Sequence, residues 1–140
     1  MEKKAIMDLK IEFNGPVLKM RGEVAEVVMI PFKGSATGEI FNGVIEPCGV
    51  DTQVVNAAGM RHMSARYMLT GRDSAGAEAH IYVENNGWFE DGGQAAGGSF
   101  RTVPTFYTDS AVLAPYLHTA RFTGEGRVEE DGLHIRFYDV

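Results

Sequence analysis

The residues with the clearest capacity for chemistry are an acid, an amide and a guanidinium: Asp51, Gln53 and Arg66. Asp51 and Gln53 are two positions apart, so they share one face of a strand. The segment 49–76 is typical of two strands that turn around 56–59, which would place Arg66 on the neighbouring strand. A carboxylate beside a guanidinium could hold a carbonyl or anionic oxygen, and a buried carboxylate could act as a general base.

Two alternatives are open for this group. The acid and the guanidinium could form a structural ion pair that sets the strand register in an apolar interior. The second alternative concerns which face of the second strand points inward. One of its two faces carries Arg66, and the other carries mainly apolar residues. Arg66 would point to solvent if the inward face were instead Met63, Ala65, Tyr67 and Leu69.

Aromatic side chains are the second resource for binding. We expect Tyr67, Phe106 and Tyr116 to cover the apolar part of a ligand, although aromatic residues are also common core residues of barrels. Trp88 and Phe89 belong to the Gly-rich segment 85–99, which is typical of a long loop. They could close over a barrel mouth as a lid, or pack in an interface between copies of the chain.

The histidines and the cysteine show no spacing typical of a metal site. The four histidines fall in separate predicted strands, and no Cys/His cluster has zinc spacing. His118 is the histidine that we favour for a pocket, whereas His134 is expected to be exposed. Cys48 is expected to be a quiet, buried or half-buried thiol. Glycine motifs for phosphate binding are also missing, so the sequence predicts neither a metal nor a cofactor.

Period-two alternation dominates the chain and predicts the elements that must position these residues. It recurs about every eight to fourteen residues between turn-forming residues, which favours an antiparallel barrel or sandwich. The best helix candidate is 108–119, and Pro115 limits it to a turn or two. We see one domain over 1–140 and no linker. The predicted strands are 6–13, 26–32, 38–47, 50–55, 61–69, 79–85, 100–108, 118–126 and 133–140.

Composition excludes several classes of partner. The chain has 140 residues and a net charge of -6, and its basic residues are scattered, which argues against nucleic acid. No apolar run is long enough for a membrane helix, and the first residues lack the apolar block of a signal peptide. One cysteine excludes an intramolecular disulfide. We therefore expect a cytoplasmic protein that binds neither membranes nor nucleic acid.

Four segments of the chain occur in an order shared with a known family. The first, FKGSATGEIFNGVIEPCGVDTQVV, resembles the pattern G-x-x-x-G-x-x-x-x-G-x-x-x-P-x-G-x-D-W-Q. The others are ARYMLTGRDSAGAEAHIYVENNG, FRTVPTFYT and PYLHTARFTGEG. Together they resemble the small bacterial and fungal proteins grouped as domain of unknown function 3237. The resemblance runs from about residue 26 to the end. It implies a small closed β-barrel of lipocalin-like shape but supplies no reaction.

The chain departs from the family pattern at several polar and aromatic positions. Thr52 and Tyr116 replace tryptophans, Tyr107 replaces a glutamate, and His118 replaces an asparagine. If the family shares a ligand, these differences would alter its pocket. On this basis we predict an all-β, closed antiparallel barrel of about eight or nine strands with little helix.

Three functions are compatible with such a barrel. The leading hypothesis is a small-molecule-binding protein whose ligand is partly apolar with a polar or anionic end. The residues expected to bind it are Asp51, Gln53, Arg66, Tyr67, Trp88, Phe106, Tyr116 and His118. The alternative is a cofactor-free enzyme for isomerisation, cyclisation or hydration of a carbonyl compound, with Asp51 or His118 as base and Arg66 as oxyanion stabiliser. The third is a non-catalytic module that forms homo-oligomers.

Overall fold

The alternating segments form a single antiparallel sheet. A computed structural model describes residues 3–89 and 99–140, and within them it has nine strands and one short helix, α1, at Ala114–Leu117. The strands are β1 Met7–Phe13, β2 Leu18–Arg21, β3 Glu26–Thr37, β4 Phe41–Val55, β5 Arg61–Asp73, β6 Glu78–Phe89, β7 Ser99–Thr108, β8 Phe122–Glu129 and β9 Gly132–Asp139.

The sheet closes on itself. Its strand order is β1-β9-β8-β7-β6-β5-β4-β3-β2, and β1 also pairs with β3. This extra pairing closes β1 and β3–β9 into an eight-stranded ring. Strand β2 is attached to the ring only through β3. Closure gives each strand of the ring a neighbour on both sides and leaves β2 as an edge strand. The predicted all-β closed barrel is confirmed.

Three elements differ from the sequence prediction. The segments 38–47 and 50–55 form one strand, β4, because its register shifts between Ile45 and Val50 where a break was predicted. Strand β2 was not predicted at all. The predicted helix 108–119 is reduced to α1, with a proline in its first turn. Within the described ranges, no helix is long and apolar enough to cross a membrane.

One end of the barrel is filled by side chains. Asp73, at the end of β5, is buried, and its carboxylate accepts hydrogen bonds from the Ser110 hydroxyl at 2.7 Å and from the Ala75 and Ala77 backbone N–H groups. The Ser110 oxygen in turn accepts from the Leu113 N–H at 3.1 Å, which secures the segment leading into α1. Residues fully buried in this core include Met7, Leu9, Phe41, Ile45, Leu69, Ile81, Phe106 and Phe137.

Candidate functional site

The interior is not filled at the other end of the barrel. A cavity of about 50 Å³ lies between the strands there, with room for roughly three or four water-sized groups. Most of its wall is apolar. Its lining residues are Ile11, Phe13, Phe32, Asp51, Met63, Ala65, Tyr67, Asn85, Phe100, Leu133 and Ile135.

Strand register explains why there is space. Asp51 on β4 is paired with Ala65 on β5, and Ala65 is paired with Asn85 on β6. Two polar side chains therefore flank one methyl group in a single cross-strand row. Tyr67 lies two residues further along the same face of β5, and its ring packs edge-on against Phe32 with centroids 5.2 Å apart. The small Ala65 side chain leaves the volume between its larger neighbours unfilled.

Three polar atoms of this cavity wall are buried and unpaired. Asp51 Oδ1, the Tyr67 hydroxyl and Asn85 Oδ1 have no hydrogen-bond partner among the described residues. Tyr67 is only 5% exposed and Asn85 only 4%. Buried polar groups in folded proteins are almost always hydrogen-bonded, so each exception requires an explanation. Three of the four such exceptions among the described residues share this cavity, and the fourth, Thr102 Oγ1, is not part of its lining.

The cavity is also electrostatically unusual. Burial raises the pKa of the Asp51 carboxyl, while a hydrogen bond from Gln53 and the charge of Arg61 oppose the rise. Burial, together with the negative charge of Asp51, raises the pKa of Tyr67 well above its ordinary value. Asp51 is therefore more basic than an exposed aspartate, and the Tyr67 hydroxyl keeps its proton.

A short hydrogen-bond chain holds Asp51 in place. Gln53 Nε2 donates to Asp51 Oδ2 at 2.8 Å, and Arg61 Nη1 donates to Gln53 Oε1 at 3.0 Å. Because Gln53 binds Oδ2, the other carboxylate oxygen is left for the cavity. The prediction that Asp51 and Gln53 share a face is confirmed, and a guanidinium does reach their group.

That guanidinium is not the predicted one. Arg66 is paired with Val50, not with Asp51, so it lies on the outer face of β5. Its side chain is 65% exposed and forms an ion pair with Glu84 at 3.0 Å. The prediction that Arg66 faces the hollow with Asp51 is wrong, because the apolar set on β5 takes the inner face. Arg61 lies two residues before Met63 and so shares the inner face of β5. Its odd spacing from Arg66 was the signal that could have identified it, because residues five apart in a strand lie on opposite faces.

Trp88 does not belong to a loop. It lies in β6, opposite His62 on β5, and their rings are 4.4 Å apart. Trp88 is 58% exposed on the outside of the barrel, so the prediction of a lid over the mouth is wrong. It ends a row of cross-strand neighbours on the outer face, formed by Met20, Val27, Val54, His62 and Trp88. The predicted homo-oligomer stays a prediction, and the part of the Gly-rich loop at 90–98 lies outside the described residues.

Two other predicted site residues, Phe106 and Tyr116, lie at the filled end. Phe106 is a core residue between Phe122 and Phe137. The Tyr116 hydroxyl donates to Asp139 at 2.8 Å. Neither residue lines the cavity beside Asp51, since Phe106 belongs to the apolar core and Tyr116 to α1, so their predicted contact with a ligand stays a prediction.

His118 is also displaced from the cavity. It is exposed at the end of α1, where Nε2 accepts from the Thr108 backbone N–H at 3.0 Å. It is not part of the lining of the Asp51 cavity, so its predicted role in a pocket stays a prediction. Cys48, expected to be buried or half-buried, is exposed.

Asn85 was not among the predicted site residues. Its parity with Ile81 and Val83 places it on the inner face of β6. An asparagine that continues an apolar inner face was the available signal. Met63 and Ala65 were weighed only as an alternative inner face, and that alternative is correct.

A second group of ionisable residues lies outside the cavity, where β1, β8 and β9 meet. His134 is largely buried, contrary to expectation, with Nδ1 2.8 Å from Asp8 and Nε2 2.8 Å from Asp131. Arg136 binds both carboxylate oxygens of Glu129 and also Asp8. Atoms of Glu129, Asp131 and His134 lie within 4.8 Å of one another. These contacts make the cluster an ion-pair network across the three strands.

We expect this network to lose stabilising energy as the pH rises above neutrality. The hydrogen bond to Asp8, helped by the one to Asp131, raises the pKa of His134 although burial opposes it. The stabilisation is complete below the ordinary histidine value of about 6.5 and is lost as the pH passes the raised pKa. Urea unfolding between about pH 6 and pH 9 should show this fall, and His134→Gln should abolish it. His80→Gln, which removes an exposed histidine, should keep the wild-type profile, and an unchanged profile in His134→Gln would contradict the assignment.

Comparison with known proteins places the chain in a family. The model of a family described as protein of unknown function (DUF3237) matches residues 2–140. A UPF0311 protein of Clostridium acetobutylicum is 32% identical over 154 residues, covering 100% of this chain and 94% of that protein. A solved structure of a protein of unknown function from the same species has a TM-score of 0.74 at 26% identity, covering 100% of this chain and 99% of the other.

A more distant similarity shows the fold alone. The crystal structure of an enzyme from Penicillium herquei has a TM-score of 0.67 at 15% identity, and the match covers 99% of this chain and 92% of the other. The full-length family match and the similarity to the clostridial protein agree with the barrel described above. The chain therefore belongs to the DUF3237 family of proteins of unknown function.

Proposed function

We propose that this protein binds a small, partly apolar molecule whose polar end enters the barrel cavity. The observation that carries the proposal is the convergence of three buried polar atoms without partners, on Asp51, Tyr67 and Asn85, in one cavity. Each unpaired buried group costs about 1–3 kcal/mol in folding stability. A ligand that hydrogen-bonds to these groups would recover that energy on binding.

The rest of the cavity supports the same proposal. Its wall is mainly apolar with a few polar groups at one place, which is the usual composition of a small-molecule site. The cavity volume accommodates only the polar end and the atoms next to it. Phe13, at the rim, is 64% exposed, and a large exposed aromatic side chain there offers a surface for the remaining apolar part.

A ligand screen with a cavity-filling variant tests the proposal. Small apolar alcohols, amines and carbonyl compounds would be screened by thermal shift, where a ligand at a hundred times its Kd stabilises by about 2.7 kcal/mol. Ala65→Leu should fill the space between Asp51 and Asn85 and abolish the shift. Ala77→Leu, the same change in an exposed turn, should keep it. Hits that stabilise Ala65→Leu as much as the wild type would contradict a ligand in the cavity.

A second candidate function is cofactor-free proton transfer on a carbonyl compound, such as an isomerisation, cyclisation or hydration. It is favoured by the raised pKa of Asp51 beside a hydroxyl that keeps its proton. Asp51 would act as the general base and Tyr67, in place of Arg66, would donate to the developing oxyanion. The solved structure described as an enzyme shows that the same fold can support catalysis.

Turnover of the screening hits separates the two functions. Each compound that binds would be incubated with the protein and followed by NMR for chemical change or for exchange of carbon-bound protons with solvent. Binding that survives in Asp51→Asn, with turnover lost, would favour the enzyme. Binding by the wild type with no change in any compound would favour the binding protein.

A further inference from the structure

The polar groups of the cavity also restrict the chemistry of the ligand. Two of the three unpaired atoms are acceptors. Asn85 Oδ1 can only accept hydrogen bonds, and so can Asp51 Oδ1 when the carboxyl group is ionised. The third is the Tyr67 hydroxyl, which has one proton to donate. Acceptors therefore exceed donors, and a ligand that supplied only acceptors would leave at least two buried oxygens unpaired.

The charges lead in the same direction. Asp51 brings a carboxylate to the wall, and among the residues that the structure describes, those lining the cavity include no lysine, arginine or histidine. Arg66, which was expected to supply a positive charge, is outside and paired with Glu84. Arg61 Nη1 donates to Gln53 and so acts on Asp51 through it. A carboxylate or phosphate in this cavity would face a like charge at low dielectric.

The hydrogen-bond chain from Arg61 through Gln53 fixes the orientation of the Asp51 carboxylate. Gln53 donates to Asp51 Oδ2, so the carboxylate cannot turn both oxygens to the ligand, and Oδ1 is presented at a fixed place. Across the row, on the far side of Ala65, Asn85 offers the second acceptor. A polar end with two separate donor protons fits this pair better than a single carbonyl group.

We propose that the polar end of the ligand is donor-rich and not anionic, such as an ammonium group or a pair of hydroxyls, and that the cavity rejects carboxylates and phosphates. This inference rests on the proposed function, because it describes the ligand of the same cavity. It replaces the earlier expectation of a polar or anionic end with a charge preference set by Asp51.

A matched series of compounds tests the preference. Phenylethylamine, phenylethylene glycol and phenylacetate share one aromatic ring and differ in the polar end. Titration of the labelled protein, followed by NMR, would give a Kd for each at neutral pH. We expect the amine, the diol or both to bind at least about tenfold more tightly than phenylacetate. The amine and the diol arms distinguish a preference for positive charge from one for uncharged donors.

Two variants assign the preference to Asp51. Asp51→Asn removes the cavity charge and should reduce the ratio of amine to phenylacetate affinity by at least about tenfold. Glu84→Gln removes the same charge from the outer face, beside Arg66, and should leave the ratio unchanged. A ratio that falls equally in both variants would reveal a general charge effect and would overturn the assignment.

The failure of this inference differs from the failure of the proposed function. Phenylacetate that binds as tightly as the amine and the diol, and that Ala65→Leu excludes, would overturn the donor preference while leaving a ligand site in the cavity. No binding by any member of the series, combined with no screening hit that Ala65→Leu blocks, would overturn both.

Discussion

Replacing Tyr67 with phenylalanine should make the protein more stable by about 1 kcal/mol and at the same time weaken ligand binding. The hydroxyl is buried in the cavity wall and lacks a partner within residues 3–89 and 99–140, so the folded state carries its desolvation cost without a compensating hydrogen bond. Phenylalanine keeps the ring, and with it the edge-on contact with Phe32. Urea unfolding of the two proteins would measure the difference.

The matched control for this prediction is Tyr116→Phe. The Tyr116 hydroxyl donates to Asp139 at the filled end of the barrel, so its removal should destabilise by about 0.5–1 kcal/mol and leave ligand binding unchanged. The same chemical change should thus have opposite signs at the two ends. A Tyr67→Phe protein that is less stable than the wild type would show that the hydroxyl contributes to folding and is not reserved for a ligand.

Gly34→Ala should have the largest effect on the fold, a loss of about 3 kcal/mol or more in the free energy of unfolding. Gly34 lies where β1 and β3 pair to close the barrel, opposite Ile11. A Cβ added there would overlap the backbone carbonyl oxygen of Lys10, and the residue also has a φ of 153°. Backbone cannot move aside as a flexible side chain can, so the closing pair of strands must separate.

Gly76→Ala separates this steric effect from the effect of glycine conformation alone. Gly76 has a φ of 83°, and in the described part of the chain an added Cβ there meets no atom within 4 Å. We expect a cost of about 1 kcal/mol at Gly76, arising from backbone strain. Urea unfolding of both variants would compare them, and equal losses would contradict the role assigned to close strand approach at the barrel seam.

Both predictions depend on the closed ring of strands that surrounds the cavity. The row Asp51, Ala65 and Asn85 has its geometry because β3, β4, β5 and β6 are held in one closed ring. Natural proteins tend to tolerate locally unfavourable residues where a function requires them.

Much of the fold could be predicted from local pattern. Alternation with period two identified eight of the nine described strands, because apolar and polar residues on the two faces of a strand meet different surroundings. The strand it missed, β2, has all four residues exposed, so it has no buried face to produce a pattern. Likewise Pro47 and Gly49 indicated a break, whereas β4 continues through a shift in register.

The candidate site could be predicted only in part. The spacing of Asp51 and Gln53 was enough to place them together, since residues two apart in a strand share a face whatever the rest of the chain does. Arg66 was misplaced because periodicity defines two faces without stating which one is inside. Composition likewise does not tell which end of a barrel a residue occupies, so it could not show that Phe106, Tyr116 and His118 lie outside the lining of the cavity.

By itself, the sequence determined that this protein is built of alternating strands and that an acid and an amide lie side by side on one of them. Tertiary structure alone decided that Arg61 and not Arg66 joins them, that Asn85 lies across Ala65, and that Phe106 and Tyr116 lie away from the cavity. The physical reason is the range of the interactions. Alternation is a property of neighbouring residues, whereas the inner face, the register and the two ends exist only once β1 pairs with β3 and the ring closes.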